Sequence, residues 1–296
     1  MGAEEIQRVG VVGCGLMGSG IAEVCARAGR SVTVVEVDPR ALTRGRIRID
    51  ASVRRAVSAG KLGDEEGEAT LGRIELSTDL GALADRQLVV EAVVEAEPEK
   101  LGVFESLDKV VEAPDALLAS NTSSIPIMKL AMATQRPEQV VGLHFFNPVP
   151  ILPLVEVVAS LLSSEDSVSR AERFAVDALG KRAIRSKDRA GFVVNALLIP
   201  YLLSAIRMME SGFATPEDID IGMVKGCAHP MGPLALTDLI GLDTTMAVAN
   251  SLYEEFKEPL FAPPPLLARM VDAGLLGKKT GRGFYDYPGG EAGAAG

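Results

Sequence analysis

The sequence predicts a two-part chain: an α/β domain built on a mainly parallel sheet over residues 1–186, then an all-α domain over 187–296. Three observations predict it. A short apolar strand near the N-terminus runs into a glycine-rich turn and then into a helix. Strand-like and helix-like stretches alternate from there to about Ser186, the pattern of right-handed βαβ units. Beyond Ser186 the strand pattern stops and helical periodicity takes over.

The first unit is the most informative. Arg8-Val9-Gly10-Val11-Val12-Gly13 is an apolar strand ending in glycine, and Gly13-Cys14-Gly15-Leu16-Met17-Gly18 follows. Ile21, Ala22, Val24, Cys25 and Ala28 then recur at helical spacing up to Gly29. A second strand, Ser31 to Val37, carries Glu36 near its end. In such a unit the first glycine makes the tight turn, the second admits a pyrophosphate to the backbone, and the third lets helix pack on strand. The helix N-terminus supplies N–H groups and a positive dipole for phosphates. An acid ending the second strand binds ribose hydroxyls and repels a 2′-phosphate. These features predict a Rossmann-type dinucleotide site lined by Gly13, Gly15, Leu16, Met17 and Gly18, with Glu36 favouring NAD over NADP.

Between Arg40 and Lys61 the chain turns basic, with Arg40, Arg44, Arg46, Arg48, Arg54, Arg55 and Lys61 against Asp50 alone. Such a run fits a solvated helix face or a surface that captures an anion, and spacing alone leaves both open. Arg73–Ser77 and Gln87–Glu95 read as strands, Pro98–Val111 as a helix, and Ala116–Ala119 as a short buried strand opening into Ser120-Asn121-Thr122-Ser123-Ser124. Ligands of parallel sheets sit beyond the C-terminal strand ends. Glu95, Ser123 and His144 are each expected just past such an end.

Val141-Gly142-Leu143-His144-Phe145-Phe146-Asn147-Pro148 holds one of only two histidines, and Glu156 lies inside the apolar run Leu154–Val158. Taken alone, the two fit a core histidine and an edge-strand glutamate as well as they fit chemistry. The segment between them is too short for a crossover helix, and Pro148, Pro150 and Pro153 keep it turned. A hairpin-like reversal would return Glu156 to His144. Glu156 would then hold one ring nitrogen and leave the other for proton exchange. The second histidine, His229, sits in a Gly/Pro-rich loop with no evident carboxylate partner and reads as structural.

Glu165–Leu179 reads as a helix and Lys181–Ile184 as the last strand. Ala190–Met209 is an almost wholly apolar helix containing Asn195, of the kind normally buried, and predicts a homodimer through the C-terminal domain. Thr215-Pro216 starts another helix, and helical patterns follow over Pro233–Phe256 and Pro263–Ala273. Gly289–Gly296 has the composition of a disordered tail.

Composition narrows the function classes. Apolar residues make up 47% and charged residues 24% of 296, as in ordinary globular proteins. A formal charge of -10 argues against a general nucleic-acid binder. Cys14, Cys25 and Cys227 have no metal-ligand spacing and form no disulfide framework, so no metal is expected. The acidic start carries no apolar leader, and no run approaches the ~18 residues of a membrane span. A cytoplasmic protein with no membrane partner is expected.

The chain resembles the L-3-hydroxyacyl-CoA dehydrogenases, particularly the short bacterial 3-hydroxybutyryl-CoA dehydrogenases, over nearly its whole length. The resemblance rests on Gly13-x-Gly15-x-x-Gly18, Glu91-Ala92-Val93-Val94-Glu95, Ser120-Asn121-Thr122-Ser123-Ser124, His144-Phe145-Phe146-Asn147-Pro148, Gly191-Phe192-Val193-Val194-Asn195 and Lys279-Thr280-Gly281-x-Gly283-Phe284-Tyr285. It implies NAD-linked oxidation of the 3-hydroxyl of an acyl-CoA, or the reverse reduction, most simply on a short chain. It makes His144 the general acid–base, Glu156 its orienting partner, and Ser123 and Asn195 hydrogen-bond donors to substrate oxygens. It places Glu36, Glu95, Lys100, Ser123, Asn147 and Lys279 against NAD, and Asn147 near substrate as well. Coenzyme A would lie along the helix after the second strand, at Ser52, with Arg54, Arg55 or Lys61 against its phosphates. Two departures stand out. The family often has aspartate where Glu36 stands, and Lys61 is offset from the family's lysine. Relatives acting on 3-hydroxyadipyl-CoA or on sugar acids such as gulonate offer alternative substrates, and a non-catalytic redox sensor would need the His144–Glu156 pair broken.

Overall fold

The structure, a computed structural model, describes residues 5–287. Two compact units make up the chain, Met1–Phe192 and Val193–Gly296. The expected tail at Gly289–Gly296 lies outside the described residues.

The first unit is a Rossmann-type α/β layer structure. Its strands are β1 (Arg8–Val12), β2 (Ser31–Val35), β3 (Ile74–Ser77), β4 (Leu88–Glu91), β5 (Leu117–Ser120), β6 (Val140–Phe145), β7 (Leu154–Ala159) and β8 (Arg182–Lys187). They form one sheet in the order β3-β2-β1-β4-β5-β6-β7-β8. Every pairing is parallel except β6 with β7. Central strands covered on both faces have no solvent side to mark with polar residues, which is why β4, β5 and β6 read as continuous apolar runs.

On one face pack α1 (Leu16–Arg27), α2 (Pro39–Ser58), α3 (Asp64–Gly72) and α6 (Glu165–Arg173), burying Ile21, Cys25, Ile49, Val53, Val168 and Ala171 with the strands. On the other, α4 (Glu97–Val110) and α5 (Ile127–Met132) bury Phe104, Leu107, Ile127 and Leu130 against Leu118, Val140 and Val158.

Some boundaries move. β2 stops at Val35, so Glu36 lies just past the strand rather than near its end. β4 stops at Glu91, well short of Glu95, because the chain turns into α4. His144 lies within β6, not beyond it. The helix expected to reach Leu179 changes winding after Arg173, where a wider turn spans Phe174–Ala178.

The second unit is all helical: α7 (Val194–Glu210), α8 (Pro216–Ile221), α9 (Pro233–Ile240), α10 (Leu242–Phe256) and α11 (Pro265–Asp272). Helix α7 begins at Val194 rather than Ala190, so Asn195 stands in its first turn. The pattern over Pro233–Phe256 is two helices, because Gly241 adopts φ 103°, a conformation closed to ordinary side chains. Two buried aspartates staple this unit. Asp220 accepts from Leu234 N at 2.8 Å, Ala235 N at 2.9 Å and the Tyr285 hydroxyl at 2.9 Å. Asp238 accepts from Phe284 N and Tyr285 N, both at 2.9 Å, and from the Tyr287 hydroxyl at 3.0 Å. Among the described residues no helix is long and apolar enough to cross a membrane.

Candidate active site

The glycine turn divides into packing and open positions. Gly13 has φ 96°, and a Cβ there would lie 2.6 Å from the Ala92 carbonyl oxygen. A Cβ at Gly18 would collide with the Gly13 carbonyl. Gly15 differs, since a Cβ there meets nothing within 4 Å. Its lack of a side chain therefore serves the open side, where backbone N–H groups at the start of α1 are within reach of a phosphate. Leu16 is exposed at the head of the helix, and Met17 packs towards the core. Glu36 accepts from Cys14 N at 3.1 Å, while Arg48 donates to Cys14 O at 3.1 Å. The turn is thus braced from β2 and α2, with the acid beside it. A shaped backbone cradle, an uncapped helix start and an adjoining carboxylate fit a dinucleotide.

Next along the sheet, Glu91 ends β4 with its side chain fully buried. It accepts from the Lys100 ammonium at 2.6 Å, Val93 N at 2.7 Å and the Ser120 hydroxyl at 2.6 Å. Lys100 also lies 3.2 Å from Glu95. The structure thus places the Lys100 ammonium in the interior between two carboxylates. The other oxygen of Glu95 gathers the loop after β5, accepting from the Thr122 hydroxyl at 2.5 Å, Ser123 N at 2.9 Å, Ser124 N at 3.1 Å and the Ser124 hydroxyl at 2.9 Å. Burial pushes the Glu95 carboxyl up, but the Lys100 charge and these donors together outweigh it and hold it below the ordinary carboxylate value. The Ser123 hydroxyl makes only a long contact with Glu95, at 3.4 Å.

The β6–β7 hairpin brings the candidate proton-exchanging pair together. In its antiparallel register His144 stands directly opposite Glu156. His144 Nδ1 lies 2.7 Å from Glu156 Oε2, with the histidine nearly buried and the glutamate fully so. A carboxylate only accepts, so Nδ1 carries the hydrogen and Nε2 is left as the basic nitrogen. Phe146 and Phe192 flank the ring at centroid distances of 4.6 and 5.5 Å. Asn121 accepts from Phe145 N at 2.9 Å and so ties the serine loop to the strand carrying His144. Asn147 is exposed just past β6.

The sheet thus brings Gly13–Gly18, Glu36, Glu95, Ser123, His144 and Asn147 to or just past the C-terminal ends of neighbouring strands, with Glu156 beside His144 from the antiparallel β7 and Lys100 reaching in from α4. On α2, Ser52 is half-buried beside the buried Glu23. Arg55 and Lys61 are exposed. Asn195 and Lys279 belong to the second unit, where the Lys279 ammonium holds both Asp243 oxygens at 2.6 Å. His229 lies 3.2 Å from the Tyr201 hydroxyl and has left-handed Ala228 before it.

Sequence reasoning missed Glu91 and Asn121. Glu91 carried a usable signal, because it is an acid inside an apolar run, as Glu156 is. The rule that such a group needs a partner would have led nine residues on to Lys100. Asn121 stood inside the Ser120–Ser124 motif without a role of its own, since polar residues after a strand are ordinary loop formers.

A dinucleotide cradle beside an oriented histidine defines a dehydrogenase site. The family model described as "3-hydroxyacyl-CoA dehydrogenase, NAD binding domain" matches residues 8–189, and that of the "3-hydroxyacyl-CoA dehydrogenase, C-terminal domain" matches 191–287. The chain is 62% identical over 285 residues to a 3-hydroxybutyryl-CoA dehydrogenase of Mycobacterium tuberculosis, covering 96% of this chain and 100% of the relative. It is 43% identical to the mitochondrial hydroxyacyl-coenzyme A dehydrogenase of Sus scrofa, covering 95% and 91%. The crystal structure of M. tuberculosis FadB2 superposes with a TM-score of 0.95 at 62% identity, covering 96% and 100%. That of the (S)-3-hydroxybutyryl-CoA dehydrogenase of Ralstonia eutropha superposes with a TM-score of 0.91 at 42% identity, covering 96% and 99%. The chain belongs to the 3-hydroxyacyl-CoA dehydrogenase family.

Proposed function

We propose that this chain is an NAD-dependent (S)-3-hydroxyacyl-CoA dehydrogenase acting on short chains, interconverting 3-hydroxybutyryl-CoA and acetoacetyl-CoA. The single observation that carries the mechanism is the buried cross-strand pair of His144 and Glu156. With its pyrophosphate held at the glycine turn, NAD would supply the nicotinamide that accepts the hydride from C3. His144 Nε2 takes the hydroxyl proton as the hydride departs, and Glu156 stabilises the imidazolium that results. Ser123 donates to the substrate oxygen as its charge develops, a role worth about 3 kcal/mol per donor in such sites. Glu36 would receive the adenosine ribose and Glu95 would face the nicotinamide side, with the buried Lys100 behind Glu95. Ser52, Arg55 and Lys61 on and after α2 are assigned to coenzyme A. The roles of Asn147, Asn195 and Lys279 rest on motif resemblance alone.

A homodimer and a cytoplasmic location are part of this reading. The dimer is supported by α7, which buries Ile199, Leu202 and Ile206 but leaves Leu197 74% and Met208 42% exposed.

The test is loss of NADH absorbance on adding acetoacetyl-CoA, with NADPH run in parallel, and gain of NADH absorbance on offering a free sugar acid with NAD+. Loss of NADH absorbance with the CoA ester and little use of NADPH is expected. Turnover of the sugar acid alone would refute the CoA assignment, and a preference for NADPH would refute the role of Glu36.

A further inference from the structure

A fully buried ion pair needs an explanation beyond stability. Removing two charges from water is costly, and apolar residues of similar volume fill such a space as well or better. Glu91 is 0% and Lys100 1% exposed, yet together they occupy the interior behind β4 and β5. What this pair does that two apolar side chains could not is divide one ammonium between two carboxylates. Glu91 is fixed by three donors, from Lys100, Val93 N and the Ser120 hydroxyl. Glu95 is the more exposed partner: one oxygen lies 3.2 Å from Lys100 while the other gathers Thr122, Ser123 and Ser124. Remove the Glu91 charge and the whole of Lys100 bears on Glu95, drawing it away from the loop. The same strand end reaches further. Glu91 O accepts from Asn121 N at 2.9 Å, and the Asn121 side chain holds Phe145 N beside His144.

We infer that Glu91 is a positioning residue for the dehydrogenase site: through Lys100 it sets the place of Glu95, and through Glu95 the serine loop that faces cofactor and substrate. The inference rests on the proposed NAD-dependent reading for its functional consequence, but its structural consequence stands apart from it. Glu91 touches neither ligand in this scheme. It acts by keeping the ammonium shared.

The experiment compares Glu91→Leu/Lys100→Met, which removes the pair together, with Glu91→Gln, which keeps shape and removes charge. Both are measured as full-length protein beside wild type. Amide hydrogen exchange over residues 121–125 of the ligand-free protein is expected to speed up while the global melt stays cooperative. NADH binding by calorimetry is expected to weaken by about tenfold or more, the scale on which small misplacements of binding groups act. KM for NADH should rise more than kcat falls, a split that general loss of folded protein would not give. A folded double variant with wild-type exchange over 121–125 and wild-type NADH Kd would overturn the inference, leaving the pair as core filling. Should the double variant not fold, the same two readouts on Glu91→Gln decide, and unchanged values there overturn it equally. Failure of wild type to turn over any acyl-CoA would sink the functional reading instead, while the exchange measurement still judged Glu91.

Discussion

Both units bury carboxylates, but they partner them differently. In the first unit Glu156 faces an imidazole and Glu91 an ammonium, groups that carry or exchange a proton. In the second, Asp220 and Asp238 face only backbone N–H groups and tyrosine hydroxyls, apart from their mutual charge. The first arrangement holds side chains at the edge where the proposed reaction takes place. The second fixes the chain segment 283–287 to α8 and α9. A buried acid therefore marks chemistry only when its partner can gain, lose or share charge.

The largest break in that comparison comes from the histidine pair. His144→Gln is expected to lower turnover by about a thousandfold, within the range of general acid–base catalysis, with NADH Kd unchanged by calorimetry. Glu156→Gln should cost about a hundredfold and alter the pH profile of kcat/KM, because the orienting charge is lost. If either variant kept near-wild-type rates, the two units would not differ in kind.

Asp238→Asn sharpens the other side. Losing one acceptor in a buried staple should destabilise the protein by about 1–3 kcal/mol in urea melts without weakening NADH binding. Weakened binding at unchanged stability would show that this acid does more than staple.

The tyrosine partners give a smaller effect with a definite sign. Burial, then the hydrogen bonds to Asp220 and Asp238, push the Tyr285 and Tyr287 hydroxyls above their ordinary value of 10.0. The folded state therefore holds these protons more tightly, so the stability they bring is complete below pH 10 and falls as pH rises beyond it. Thermal melts between pH 9 and 11 should show the loss, and Tyr285→Phe/Tyr287→Phe should flatten it. Glu95 gives the smallest effect and the opposite sign. Its carboxyl is held low, so its contribution is present above the unfolded value of 4.5 and lost as pH falls through the lower folded one. Acid titration of Glu95→Gln should lack that component.

Much of this was legible beforehand because it depends on local rules. Strand, glycine turn, helix and acid follow one another within the first residues, and each is required by backbone geometry or helix dipole. The return of Glu156 to His144 followed from a linker too short for a crossover. Helix ends were less legible. Nothing local marks Gly241 as the break between α9 and α10 rather than a tolerated glycine, since its φ of 103° depends on what packs around it. The apolar look of α7 overstated its burial, because composition does not say which neighbours are present.

The sequence by itself determined the parallel sheet, the dinucleotide turn and the need for His144 and Glu156 to meet, all consequences of periodicity and chain length. Only the tertiary structure decided that Lys100 lies inside rather than at the surface, that Glu91 shares it with Glu95, and that Asn121 ties the serine loop to β6. Those contacts join residues from different strands and helices. They follow from which strands neighbour in the sheet, and no local pattern records that order.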